Sequence, residues 1–498
     1  MTAADSARRV LDFRPGELTA VALAFAYFFC LLASYYVLRP LRDEMGIQGG
    51  VENLPWTFTA TFVAMLAAVP LYGWAVSRFP LRRLLPGVYV FFALNLVAFW
   101  ALFASGVARP QVAIAFFVWV SVFNLFVVSV FWSFMADLFD TGQAKRLFGP
   151  IAAGGSLGAV TGPALTVAMV GSVGPERLPL VSAALLLGAV ACIAALVAWG
   201  AGHGSRAAAE RPAPLAGSPW AGITHTLRSP HLLAIGGYIV LFTTLSTFLY
   251  FEQARIVRDA LPDSAARTRF FAGVDLAVNT LTFAGQLFVT GRVMNRFGVG
   301  QSLAALPALS LAGFALLALQ PTLWVVAGFQ VLRRALNFFL AKPAREVLFT
   351  AVSDEDRYKA KSFLDTVVYR GGDAASGWLH AGLRALGFGT AGVAVAALPL
   401  AALWLALSFA LGRGHEHLTR TRSTPLPPPL SLPAADARSR RWPPPPPVAH
   451  GPPAPRRPRR SACSSARSLA AASNCRRWGW APTARSTWAA GQRSAPPS

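Results

Sequence analysis

The stretch Gly73-Trp74-Ala75-Val76-Ser77-Arg78-Phe79 returns as Gly291-Arg292-Val293-Met294-Asn295-Arg296-Phe297, with glycine, arginine and phenylalanine at the same places. A second pair follows nearly the same offset. Ala144-Lys145 precedes Gly154-Gly155, and Ala360-Lys361 precedes Gly371-Gly372. Copies about 216 residues apart read as two matching halves of one chain.

Around these copies the sequence is strongly apolar. Of 498 residues, 54% are hydrophobic and only 13% charged, which excludes an ordinary soluble domain of this length. Runs long enough to cross hydrocarbon recur twelve times, at 18–38, 54–76, 84–105, 112–135, 147–170, 178–200, 232–252, 270–290, 301–320, 323–341, 362–384 and 390–412. The eleventh is the least apolar and rests partly on symmetry with the fifth. The fold class expected is an all-α membrane protein of twelve transmembrane helices in two six-helix halves. Duplicated membrane units of this kind are the usual build of secondary transporters. The first run follows Arg8, Arg9 and Arg14, yet it is too long for a signal-peptide core and is read as an uncleaved span.

The halves, 18–200 and 232–412, are flanked by an N-terminal segment 1–17, a linker 201–231 rich in proline, and a tail 413–498. Fifteen of the 45 basic residues fall in that tail, opposed by Glu416 and Asp436 alone, and its proline runs leave no helical or strand period. The tail is read as disordered and unselected, not as a nucleic-acid partner. With the N-terminus inside, inside segments hold 18 basic residues and outside loops nine. That bias predicts both termini in the cytoplasm, and a bacterial inner membrane is the expected location.

Enzyme signatures are missing. The chain has no glycine-rich phosphate loop ending in Lys-Ser/Thr, so ATP hydrolysis is not expected. Cys30, Cys192, Cys463 and Cys475 have neither zinc nor disulfide spacing, and His415-Glu416-His417 is read as an accident at a helix end. No cofactor and no metal are expected.

The stretch Gly73 to Arg83 resembles the loop between spans two and three of the major facilitator superfamily, with Ser77 at the acid position and Pro80 at the second glycine. The second copy has Asn295 and Gly298 there. By this resemblance Gly73, Arg78, Gly291 and Arg296 belong to a conformational loop, its glycine letting helices approach. Three further stretches are similar to the ATP/ADP translocase family. They are Tyr35 to Asp43 (YYVLRPLRD), Gln143 to Phe148 (QAKRLF), and Arg345-Glu346 through Lys359-Ala360-Lys361 to Asp365. Arg42 stands where that family carries lysine and Gln143 where it carries glutamate. The resemblance implies exchange of an adenine nucleotide, ATP or ADP, for another nucleotide or phosphate.

Charge inside spans leads in the same direction. A charge deep in a bilayer costs at least about 2.5–3.5 kcal/mol, so it should face protein or water. Arg333 and Arg334 lie in the tenth span, Asp365, Arg370 and Asp373 in the eleventh, and Asp275 and Asn279 share one face of the eighth. Guanidinium groups fit phosphate and carboxylate oxygens. The expected substrate-binding set is Arg39, Arg42, Lys145, Arg333, Arg334, Lys361 and Arg370. The expected coupling or gating acids are Asp43, Glu252, Asp275 and Asp365. Internal ion pairing, Arg370 with Asp373 or Asp365 and Arg334 with a neighbouring acid, is the rival reading for the charges deep in spans. Snorkelling to the interface is the rival for Arg39 and Arg42. The function expected is monomeric alternating-access transport of a small organic anion. A proton-coupled exporter of unrelated small molecules and a non-transporting membrane scaffold stand as alternatives.

Overall fold

The computed structural model describes residues 17–78, 81–202, 226–227, 229–352, 360–361 and 363–423. The expected N-terminal segment, nearly all of the linker and most of the tail lie outside these residues. Twelve long helices make up the described chain. They are α1 (Glu17–Gln48), α2 (Leu54–Arg78), α3 (Leu81–Ser105), α4 (Arg109–Leu138), α5 (Thr141–Val173), α6 (Leu178–Gly202), α7 (Pro230–Ala260), α8 (Ser264–Phe288), α9 (Thr290–Leu319), α10, α11 and α12 (Thr390–Ser423). Helix α10 runs over Leu323–Leu336, then a π-turn at Asn337–Ala341, then Lys342–Leu348. Helix α11 is entered through a π-turn at Leu364–Val368 and continues as Tyr369–Ala385.

Helices are the solution hydrocarbon demands, because every backbone donor and acceptor must be met within its own segment. Local chemistry sets where they start. Asp140 accepts from the Gln143 amide at 2.8 Å while the Gln143 side chain accepts from the Asp140 amide at 3.2 Å, a capping box that opens α5. Ser229, Asp263 and Thr322 cap α7, α8 and α10 with the side-chain acceptor bond alone. The last helix runs eleven residues past the apolar stretch, to Ser423, because no residue from 413 to 423 breaks it.

Among the described residues, ten helices are long and apolar enough to cross a membrane. The two that fall short by composition are α8 and α11, the helices that carry Asp275 and Asn279, and Arg370 and Asp373. Both lie where the halves meet: α5 packs on α8 and α2 packs on α11. Advancing each helix by six turns one pair into the other, the relation a two-fold between halves requires. Within the halves, one apolar cluster joins α1, α3, α4, α5 and α6, and another joins α7, α9, α10, α11 and α12.

Glycine sets the closest approach inside the first half. A Cβ at Gly154, Gly158 or Gly162 of α5 would run into the backbone carbonyl of Phe25, Phe29 or Ala33 on α1. Spaced four apart, the three form one face without side chains, so backbone meets backbone. The matching glycine of the second half, Gly372 on α11, faces the side chain of Thr243 on α7, not its backbone.

The repeat that opened the sequence is helical in both copies, not loop. Gly73 to Arg78 ends α2, and Gly291 to Phe297 forms the first turns of α9. Gly298 then bends α9 with φ 77°, a left-handed conformation that favours glycine. The equivalent position in the first copy is Pro80, which cannot take that angle. A Cβ at Gly73 or Gly291 meets no described atom within 4 Å. The close helix approach expected there is found instead at the α5 glycines.

Replacing Gly158 with leucine is therefore expected to cost about 1–3 kcal/mol through overpacking. Gly149→Leu, on the same helix in open space, should change little. Thermal unfolding of the two purified variants in detergent, side by side, checks the difference.

Candidate functional site

Between the halves lies a cavity of about 460 Å³. Helices α1, α4, α7 and α10 supply most of its wall, one from each successive group of three, and α2 and α11 close its sides. Its cations are Arg39, Arg42, Lys342 and Arg370. Rings from Tyr35, Phe58, Phe117, Tyr250 and Tyr369 fill much of the remaining wall. A smaller chamber of about 140 Å³ shares Arg39 and Arg42 and adds Gln330, Arg333 and Arg334. Six basic side chains thus border two adjoining spaces between the halves.

The acids that answer them are fewer. Asp275 of α8 is buried and receives two arginines, Arg334 at 2.7 Å and Arg39 at 3.5 Å. The Arg39 pair crosses from one half to the other. Arg42 doubles on Asp43 at 2.6 and 3.1 Å, and Asp43 also accepts from the Tyr250 hydroxyl at 3.0 Å, again across the halves. Arg370 meets Asp373 at 3.5 Å. Arg333 is different. Only 3% exposed, it donates through one nitrogen to Ser246 at 2.8 Å, while its Nε and other terminal nitrogen have no hydrogen-bond partner. A guanidinium with idle donors beside a cavity has hydrogen bonds left to give to oxygens of a bound group.

Residues 18–350 match the family profile of the Major Facilitator Superfamily. The chain belongs to the major facilitator superfamily. Solved structures agree on the fold. The nucleoside transporter NupG superposes with a TM-score of 0.56 at 13% identity, over 82% of this chain and 100% of its own. A bacterial homologue of the iron transporter ferroportin, in its inward-facing state, gives 0.56 at 12% identity, over 80% and 100%. A bacterial homologue of the lysosomal transporter Spinster, inward-facing and unoccupied, gives 0.52 at 15% identity, over 82% and 99%. At such identities the likeness is one of fold. No curated protein matches the chain in sequence.

On this major-facilitator frame the residues singled out by sequence separate into groups. Arg39, Arg42, Asp43, Arg333, Arg334 and Arg370 border the two spaces, with Asp275 directly behind Arg39 and Arg334. Lys145 is exposed near the start of α5. Lys361 pairs with Glu346 at 2.5 Å and Arg345 with Asp365 at 3.6 Å, so that motif ties the end of α10 to the start of α11. Gln143 donates to Glu17 at 3.1 Å besides capping α5; a glutamate there would face Glu17 with like charge. Glu252 is buried away from the cavity wall, against His380, Thr390 and Arg384. Arg78 and Arg296 are exposed, the latter over the Phe297 ring.

Several residues of weight escaped the sequence reading. Lys342 lines the cavity just past the α10 π-turn, and its signal was rarity, one of four lysines among 45 basic residues. Ser246, Tyr250 and Gln253 recur at helical spacing on α7, a polar face that could have been found. Glu44 gave no such signal. It is wholly buried near the end of α1 and takes a two-pronged contact from Arg267 of α8, at 2.6 and 2.8 Å. Around it the end of the molecule distal to the start of α1 is tied across the halves. Gln48 donates to Ser264 at 3.1 Å, Arg258 pairs with Glu52 at 2.9 Å, and Trp56 meets Trp378 edge-on. An apolar cluster of Ile47, Val51, Leu54, Phe251, Val257 and Phe271 fills the space between.

Glu44→Gln should deprive the buried face of Arg267 of its paired carboxylate, lowering stability by about 3 kcal/mol. The double variant E44Q/R267Q should recover part of that loss. A double-mutant cycle on unfolding free energies reads the coupling.

Proposed function

We propose that this major-facilitator protein is a secondary active transporter of an organic anion, with a phosphorylated substrate such as a nucleotide as its chemical class. The observation that carries the reading is Arg333, buried and short of partners among six basic groups bordering the two spaces. Holding such a cluster in a bilayer is costly, and an anionic substrate offsets that cost. Aromatic walls suit a flat ring attached to the anion, since rings stack at small cost in order.

In this reading Arg39, Arg42, Arg333, Arg334 and Arg370, with Lys342, hold the anion. Asp275 holds Arg39 and Arg334, offsetting one of their two charges, when the site is empty and yields them to the substrate. Because Arg39 and Asp275 sit in opposite halves, that hand-over also removes a tie between halves, as alternating access needs. Both termini lie on the cytoplasmic side of a bacterial inner membrane, the distal end faces outward, and one chain suffices. Asp43 and Asp365 act as gating partners of their arginines. Lys145 and Lys361, set apart from the cavity, would meet the anion only along its way. The exposed turns holding Gly73, Arg78, Gly291 and Arg296 move with the helices they end or begin.

The test is uptake of labelled ATP and ADP by the full chain in liposomes, with and without nucleotide inside. Uptake that needs internal nucleotide supports exchange; no uptake by folded protein of either label, or of labelled phosphate, overturns the substrate class. Arg333→Gln should lower uptake roughly 10- to 100-fold, the worth of one lost charge-assisted hydrogen bond. Lys145→Ala should leave it close to the parent.

A further inference from the structure

Glu252, near the distal end of α7, is wholly buried. His380 of α11, 1% exposed, touches it through Nε2 at 2.7 Å, and the Thr390 hydroxyl at the start of α12 donates to it at 2.6 Å. Arg384, one turn beyond His380, points a nitrogen at the same carboxylate from 4.0 Å, and that nitrogen has no hydrogen-bond partner. Among the described residues the other buried acids, Glu17, Asp43, Glu44 and Asp275, each meet an arginine. Arginine stays charged at any pH of interest, so each of those acids is held against a fixed cation. A histidine can, near neutrality.

We propose that Glu252 and His380 form a proton-binding site of the carrier, separate from the arginine cavity, whose occupancy loosens the distal end. The site takes one proton from water at that end. In the empty form a neutral imidazole donates from Nε2 to the Glu252 carboxylate, and the pair carries one negative charge. Protonation at Nδ1 gives an imidazolium beside the same carboxylate, and the pair becomes neutral. No other bond changes.

The surroundings convert that charge into movement. From α7 the site faces Arg255; from α11 it faces Arg384; from α12 it faces the Thr390 hydroxyl. Glu52, in the short turn Val51–Asn53 ahead of α2, stands 3.8 Å from Arg255 and 2.9 Å from Arg258, which also holds Asp259. Three arginines here face three acids. One more proton on the buried pair leaves a positive excess there, which repels Arg384 and Arg255 from it. The adjacent Phe251 ring touches both the His380 ring, at 5.1 Å, and the Phe58 ring of α2, at 5.1 Å. Gly377 of α11 sits close to both Phe251 and Pro55. The proton site therefore shares a side chain with the contact that closes the distal end between halves. Arg384 and Arg258, partly exposed, and Glu52, mostly exposed, lead from the pair to water.

This inference does not depend on which anion is carried, and its test uses none. Spin labels go on Val107→Cys and Leu386→Cys, exposed turns at the distal end of opposite halves. The four native cysteines are changed to serine, and the full chain is placed in lipid nanodiscs. Pulsed dipolar distances are then measured from about pH 8 down to about pH 5.5, across the histidine range. The parent should gain a longer-distance population as pH falls. Glu252→Gln and His380→Asn should each lose that response. Arg384→Gln should keep it with a higher midpoint, since a cation opposing the proton has gone. A parent with one distance at all pH values overturns the proposal, as does a full response in either pair variant or an unmoved midpoint in R384Q.

Discussion

A charge left alone in hydrocarbon is too costly to keep, and this chain carries many charges within its spans. Each must find an opposite charge, water or a substrate, and that requirement governs how the helices face. Asp275 makes α8 too polar for lipid and sends it inward, where two arginines await. Arg370 and Asp373 do the same for α11. The two helices least suited to lipid thus become the ones that join the halves, through α5 and α2. Interface and cavity share one cause.

Packing within the halves follows a different rule. Lipid tails are as apolar as leucine, so burial of apolar area does little to hold membrane helices together; close fit does the work. The α5 glycines let its backbone touch α1 along two turns, and the resulting pair anchors the first half. The second half has a looser counterpart, Gly372 against the Thr243 side chain. Rigid halves with a charged, incompletely neutralised seam between them suit a carrier that rocks, because motion then concentrates at the seam.

The seam is not uniform. Midway it holds arginines with spare donors, and at its distal end it is closed by the Glu44–Arg267 contact, the Glu52–Arg258 pair and a patch of aromatic and aliphatic side chains. Glu252 and His380 lie under that closed end, outside the arginine cavity. Separate chemistries at separate depths are what coupling of two events demands.

Much of this was legible in the sequence. Twelve spans, two halves and the pairing of Gly154 with Gly371-Gly372 follow from apolar length and repetition, because hydrocarbon permits little besides helices and a duplicated segment keeps its own period. The arginines of α10 could be named as inward-facing, since a charge deep in a span has nowhere else to go, whereas Arg39 and Arg42, near a span end, could equally have reached the interface. What the sequence could not supply was partnership. Whether Asp275 serves Arg39, Arg334 or a proton depends on which helices touch, and residues 236 and 59 positions apart meet only after folding. The same holds for Lys361 with Glu346, Glu44 with Arg267 and Glu252 with His380. Local patterning determines which side chains must be buried; three-dimensional neighbours alone decide what each buried charge is there to hold.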